Sequence, residues 1–396
     1  MLALCLFPIL SAMTVGISAE EKVTINVYNW GEYISDGSEG SLDVNKAFEE
    51  KYGIKVNYTT YASNEDLYAK LKGLGNTSGY DVIFPSDYMI ARMIEEDMIE
   101  KIDTSKLSNY KYIDEKYLNL SYDPTSEYSV PYTFGMVGVI YNTTIVDEED
   151  TGSWGLMWNP KYSGKILNFM NSRDAFGTAQ FYIGKSVNST STADWYAAFE
   201  KLKEQKPILQ GYVMDEIYGK MEGGNAAIAP YYAGDFFTMY ENNEDLAFYY
   251  PKEGTNSFVD AMCIPKGAPH YEEALLYIDF LLSEEISVAN AQTHCYASPN
   301  KLLLENEEYL EFLEDMHPDA KDILYPELAE DYKTEVYLNL SVEMREYEKT
   351  LWEELMIHGQ NNVVIYSIAS VMALIILAML LYSAIKKKIQ SNYSYE

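Results

Sequence analysis

Tyr28-Asn29-Trp30-Gly31-Glu32-Tyr33 sets two large rings around one carboxylate, with a glycine to turn the chain. A ring face attracts a cation held within about 6 Å, and a carboxylate pairs with an ammonium through charge-assisted hydrogen bonds. Rings and an acid together therefore suit an organic amine. A tryptophan capping a core beside a solvated glutamate would use the same residues. Tyr231-Tyr232, followed by Asp235, is a second such group. Its phenolates and carboxylate suit ferric iron, its ring faces suit an amine, and simple packing is the third possibility.

Other chemistries lack their residues. No Gly-x-Ser-x-Gly elbow and no His-Glu-x-x-His helix occurs. The four histidines, at 270, 294, 317 and 358, are not at metal-ligand spacing. Ala179 to Ser186 matches a relaxed phosphate-loop pattern, but Phe181-Tyr182-Ile183 would stop backbone N–H groups from wrapping a phosphate. That run reads as helix. No enzyme activity, cofactor or metal is expected, and a secreted hydrolase is the remaining enzymatic alternative.

The elements that would position these residues alternate. Val23 to Val27 reads as a strand, 42–52 as an amphipathic helix and Ile54 to Tyr61 as a strand. Asn64 to Lys72 has helical spacing, Tyr80 to Phe84 is a short buried strand, and Ile90 to Met98 continues as helix. Such alternation implies a parallel sheet covered by helices, with ligands outside the carboxyl ends of its strands. Trp30 to Tyr33 and Ser86 to Tyr88 both occupy such ends. A second α/β region runs from about Gly138 to Gly254, with a helix at 193–203 and a strand at 226–229. Phe258 to Pro265 reads as a further strand, Tyr271 to Leu282 as a helix, and 303–355 as acidic and mostly helical.

At 396 residues the chain is expected to form two domains. The net charge of −32 disfavours nucleic acid and anionic lipid as partners, since both require a basic face. Residues 1–19 resemble the apolar segment and small-residue cleavage site of a secretory signal, without its basic start. Val363 to Ile385 is 23 residues without a charge, followed by Lys386-Lys387-Lys388. Such a helix spans about 35 Å, enough to cross a bilayer, and the lysines place the tail 386–396 in the cytoplasm. Three cysteines make no disulfide framework, and Cys263 and Cys295 are expected to be unpaired.

Several runs together resemble the extracytoplasmic polyamine (spermidine/putrescine)-binding proteins of ABC transporters. They are Tyr28 to Tyr33, Thr60 to Glu65, Tyr80 to Tyr88, Met98 to Asp103, Tyr128 to Tyr132, Pro251 to Gly254, Asp260 to Pro265 and Tyr296 to Asn300, in family order. The resemblance covers about residues 22–355. It implies an α/β type II periplasmic-binding fold whose two lobes close on ligand, with crossings near 132–137, 259 and 300. Lobe 1 would comprise 20–135 and 259–301, and lobe 2 would comprise 136–258 and 302–359. By resemblance, Trp30, Tyr33, Tyr231, Phe258 and Tyr296 would box the methylene chain. Glu32, Asp174 and Asp260 would pair with ammonium groups, and Ser86 and Tyr88 would add hydrogen bonds. The family has Trp at the positions of Tyr231 and Phe258, and commonly a carboxylate at the position of Asn171. The implied function is a monomeric receptor that delivers a polyamine to an ABC permease; the C-terminal helix is a departure from the family and would tether the receptor outside the membrane. A ferric-iron receptor using Tyr231 and Tyr232 is the alternative within the same fold.

Overall fold

The computed structural model describes residues 23–75 and 78–357, together with 371, 372, 374–376 and 379. The signal-like segment 1–19, most of the expected membrane helix 363–385, and the tail 386–396 lie outside the described residues. Among the described residues no helix is long and apolar enough to cross a membrane.

The alternation in the first third folds as expected. Strands β1 (Thr24–Trp30), β2 (Lys55–Tyr61) and β3 (Val82–Ile83) form a parallel sheet in the order β2-β1-β3. Helices α1 (Val44–Tyr52), α2 (Asn64–Leu74) and α3 (Asp87–Glu95) connect and follow them. Short polar residues start the first two helices: Asp43 accepts from the Lys46 amide, and Ser63 from that of Asp66. Because the strands run parallel, Trp30 and the Phe84–Ser86 turn emerge at the same edge.

The second sheet is larger and mixed. Strand β4 (Val130–Asn142) is 13 residues long and changes partners along its length. Its first half pairs antiparallel with β9 (Thr255–Met262), and its second half with β7 (Ile228–Tyr232) and β8 (Leu246–Tyr249). Strand β5 (Ile166–Phe169) runs parallel to β6 (Leu209–Val213) and β7, and β10 (Thr334–Glu335) parallel to β9. Two strands begin away from their sequence positions. The apolar Ala226 and Ala227 precede β7, and β9 starts at Thr255 because Thr255 and Asn256 pair with β10. Isolated bridges Ile83↔Cys263 and Ser86↔Asp260 tie β9 to the first sheet, and Phe134↔Ala297 adds the third connecting segment beside β4.

Helices α4 (Ser172–Tyr182), α5 (Thr192–Gln205), α6 (Glu216–Glu222) and α7 (Ala233–Asn242) cover the second sheet. The phosphate-loop-like run thus lies largely within α4, as its bulky residues require. After β9 come α8 (Tyr271–Leu281), α9 (Glu284–His294), α10 (Glu307–Met316), α11 (Ala320–Leu324) and α12 (Val342–Ile357). One buried cluster joins Val27, Phe48, Phe84, Tyr277 and Ile278, and another joins Ile140, Trp154, Phe169, Ile228 and Phe236. Helix α9 straddles them, with Ile286 in the first and Val288 and Ala291 in the second. Cys263 and Cys295 are both free, the first buried and the second half-buried.

Candidate functional site

Three strand-to-helix junctions each deliver an aspartate into the space between the two cores. Asp87 opens α3 after β3, Asp174 sits in the first turn of α4 after β5, and Asp235 in the first turn of α7 after β7. A carboxylate is favoured there because the first turn leaves amide N–H groups unsatisfied and carries the positive end of the helix dipole. A fourth aspartate, Asp260, comes from β9, the strand bridged to both cores.

Asp260 is 5% exposed. Its Oδ2 accepts from Tyr33 Oη at 2.7 Å, and Tyr33 Oη in turn lies 2.6 Å from Thr133 Oγ1. Ser86 also bonds the Asp260 carboxylate. The other carboxylate oxygen, Oδ1, is buried without a hydrogen-bond partner. Burial lifts the Asp260 pKa to about 6 against these hydroxyl bonds. Ser86 is itself held by Asn64, whose Nδ2 donates to Ser86 Oγ at 3.0 Å. Trp30 is oriented by donating Nε1–H to the Phe84 carbonyl at 2.8 Å, and its ring lies 4.6 Å from that of Tyr61.

Asp174 accepts from Tyr232 Oη at 2.7 Å, and the Tyr337 hydroxyl, which donates to the Arg173 carbonyl at 3.1 Å, lies beside it. Asp235 accepts from Tyr218 and Tyr296 through its two oxygens. Burial raises both to about 6. Asp87 is pushed higher, to about 8, by burial, although the amides of Tyr88 and Val259 donate to it. Phe258 lies at the centre, its ring 5.4 Å from Tyr232 and 6.1 Å from Tyr296. Tyr296 can approach Asp235 because residue 234 is glycine: a Cβ there would sit 2.9 Å from the Tyr296 ring and 3.0 Å from the Cys295 carbonyl.

Aromatic and hydroxyl contacts link Asp235, Asp260 and Asp174 in a chain. At one end lie Asp235 and Glu32, both acting on the Tyr218 phenol, whose pKa rises through burial first and these charges next. Tyr296, Phe258 and Asp260 form the middle. At the other end are Asp174, Tyr337 and Tyr88, with Tyr88 6.4 Å from Tyr337 and donating to Glu65 at 3.0 Å. Hydroxyl groups bond these carboxylates, and Asp260 Oδ1 is left without a partner; Asp174 feels the charge of Arg173, but among the described residues no lysine or arginine forms an ion pair with Asp174, Asp235 or Asp260. Such an enclosure can hold a cationic ligand by charge and its apolar part by ring faces.

Most of the residues expected from sequence meet in this space. Glu32 is exposed and in the left-handed conformation (φ 51) just past the end of β1, near enough to the Tyr218 phenol to act on it. Asn171 is the N-cap of α4, its Oδ1 accepting from the Arg173 amide at 3.0 Å. Tyr231 stacks on Phe169 at 5.5 Å and meets Tyr218 edge-on at 6.4 Å. Its neighbour Tyr232 commits its hydroxyl to Asp174. Among the described residues no group of three or more His, Cys, Asp and Glu is arranged to hold a metal ion.

Sequence reasoning omitted Asp235 from the amine-pairing acids, passed over Asp87 and Tyr218, and gave Tyr232 no partner among the acids. A signal existed for Asp235: Tyr232-Ala233-Gly234-Asp235 repeats the strand-end spacing of Asn171-Ser172-Arg173-Asp174, each acid three residues past its cap.

The model of the bacterial extracellular solute-binding protein family matches residues 44–311. The chain belongs to this family. It is 33% identical over 323 residues to the spermidine/putrescine-binding periplasmic protein of Escherichia coli K12, covering 81% of this chain and 86% of that one. A putrescine-binding periplasmic protein from the same organism is 29% identical over 312 residues, covering 74% and 82%. The solved spermidine/putrescine ABC transporter substrate-binding protein of Streptococcus pneumoniae superposes with a TM-score of 0.71 at 31% identity, over 85% of this chain and 99% of that one. The fold is therefore the α/β type II periplasmic-binding architecture.

Proposed function

We propose that this protein is an extracytoplasmic receptor that captures a polyamine, putrescine or spermidine, and delivers it to an ABC permease. The observation that carries this reading is Asp260. Its carboxylate is buried among Tyr33, Thr133 and Ser86, and one oxygen has no partner, so it lacks the cation that would offset its desolvation. Asp174 and Asp235 are similarly held by hydroxyls, and the rings of Phe258, Tyr296 and Trp30 lie between. An alkyl chain with an ammonium at each end matches acids separated by rings. Several cation–π contacts at about 0.5–2 kcal/mol each, plus two ion pairs, are of the order of the ~8 kcal/mol of micromolar binding. The ligands named for the E. coli and S. pneumoniae relatives support the same assignment.

Glu32, Asp235 and Asp260 would take the ammonium groups; Trp30, Tyr33, Tyr231, Phe258 and Tyr296 would enclose the methylenes; Ser86 and Tyr88 would position the acids. The lobes would be 20–135 with 259–301 and 136–258 with 302–359, moving about β4, β9 and the Ala297 segment. Val363 to Ile385 would tether the receptor outside the cytoplasmic membrane, so that protease added to intact cells releases the binding domain. Calorimetry with putrescine, spermidine, spermine and ferric citrate tests the assignment. Micromolar or tighter binding of a di- or triamine is expected. Binding of ferric citrate alone, or of none of the four, overturns it.

A further inference from the structure

Helix α9 ends at His294, and the turn after it delivers Tyr296 to the candidate site. Cys295 caps the helix in the left-handed conformation (φ 57, ψ 17), its amide bonded to the Ala291 carbonyl at 3.0 Å. A residue with a Cβ is disfavoured in that conformation, so the turn needs a contact that holds it. His294 supplies one: its Nδ1 accepts from the Tyr296 amide at 3.0 Å, closing a small ring around Cys295. A histidine at a helix end ordinarily serves the last carbonyls. Here the ring turns forward instead and fixes the direction in which the chain leaves α9.

The imidazole does this from a buried position. It is 8% exposed, and burial pushes its pKa down to about 3, so it is uncharged. With Nδ1 accepting, the ring carries its proton on Nε2. Tyr33 and Tyr132 lock it in place, with ring centroids 5.3 and 5.8 Å away, and the Tyr132 hydroxyl donates to the Tyr33 carbonyl at 2.9 Å. The Tyr296 ring lies 6.0 Å away on a further side. Its hydroxyl donates to Asp235. That bond joins the two cores, since Tyr296 packs on the first and α7, which carries Asp235, belongs to the second.

We propose that His294 is a positioning residue for amine capture, whose imidazole aims the Tyr296 hydroxyl across the space between the cores at Asp235. This rests on the polyamine reading above. A carboxylate already held by a fixed hydroxyl is preorganised, so less affinity is lost to ordering it when the ammonium arrives. His294 acts on the acid only through Tyr296, and this sets it apart from a residue that merely stabilises the fold.

The test is calorimetry on the full-length protein in detergent at pH 8, with putrescine and spermidine as probes. His294→Leu keeps the bulk and removes the acceptor. It should weaken both amines about tenfold, as the loss of one hydrogen bond to a charged group does. His294→Asn puts Oδ1 where Nδ1 was and should stay within about threefold of the parent, whereas His294→Gln reaches past that position and should lose about tenfold. The contrast between these two keeps the proposal testable if His294→Leu does not fold. A purely structural role would not give the remaining result. Once Tyr296→Phe has removed the hydroxyl, adding His294→Leu should weaken binding less than about threefold further. The proposal is overturned by an unchanged affinity in His294→Leu, by equal affinities in His294→Asn and His294→Gln, or by a double variant whose loss is the product of the two single losses. Failure of the parent protein to bind either amine overturns the polyamine reading itself and is distinct from all of these.

Discussion

Asp260→Asn should make the ligand-free protein more stable and the receptor worse at its task. The carboxylate is 5% exposed, and burial raises its pKa from 3.8 to about 6. That shift means the folded state disfavours the charged form by about 3 kcal/mol at pH 8. The sign follows from linkage. A carboxyl group with a raised folded pKa binds its proton more tightly when folded, so stability falls as pH rises from about 4 to about 6 and stays reduced above. An asparagine carries no charge to desolvate. Its amide nitrogen can donate to Tyr33 Oη, which then donates to Thr133, and its oxygen takes the place of the unpartnered Oδ1. A gain approaching 3 kcal/mol corresponds to a rise of about 5 °C in Tm at pH 8, shrinking toward pH 4. Affinity should move the other way, because an ammonium brought to a buried neutral amide loses its charge partner at a cost of about 2–5 kcal/mol, or roughly 30- to 5,000-fold. Differential scanning calorimetry across pH and titration with putrescine measure the two effects. An unchanged Tm at pH 8 together with less than threefold loss of affinity would show that Asp260 is neither desolvated nor paired with ligand.

Amine binding should release protons near pH 6, where Asp174, Asp235 and Asp260 are each about half protonated in the free protein. Titrations in buffers of different ionisation enthalpy should give about one proton per ligand at pH 6 and almost none at pH 8, while equal values at the two pH values contradict the assigned shifts. Asp235→Asn should weaken putrescine at least about tenfold by removing the charge at the Glu32 end, and retention of full affinity would place the ligand elsewhere. Gly234→Ala should weaken binding by moving the Tyr296 ring away from Asp235. The same change should cost about 1–3 kcal/mol of stability through overpacking, read by urea unfolding, and an unaffected protein would show that the close approach can relax.

How much of the site was legible depended on which residues carried local information. Trp30 to Tyr33 and Ser86 to Tyr88 stood out because a strand's end is visible in its own periodicity, and a parallel sheet gathers such ends along one edge. Asp260 was reachable only through resemblance to relatives, since Val259-Asp260-Ala261 in isolation looks like a strand with one polar face. Asp235 was read as a companion of two tyrosines, and its pairing with Tyr218 and Tyr296 joins segments 17 and 61 residues away. Tyr337 is one of 37 tyrosines, and no local pattern around it marks it as a partner of α4.

The sequence by itself determined the alternation of strands and helices and the supply of aromatic rings and acids at strand ends. These follow from periodicity and composition, which act over a few residues. Only the tertiary structure decided which carboxylates lose their water. Glu32 and Asp260 are both acids near aromatic residues, yet Glu32 stays exposed just past the end of β1 and Asp260 is enclosed where β9 bridges the two cores. Desolvation is a property of everything that surrounds a group, and the residues surrounding Asp260 come from positions as far apart as 33, 86 and 133.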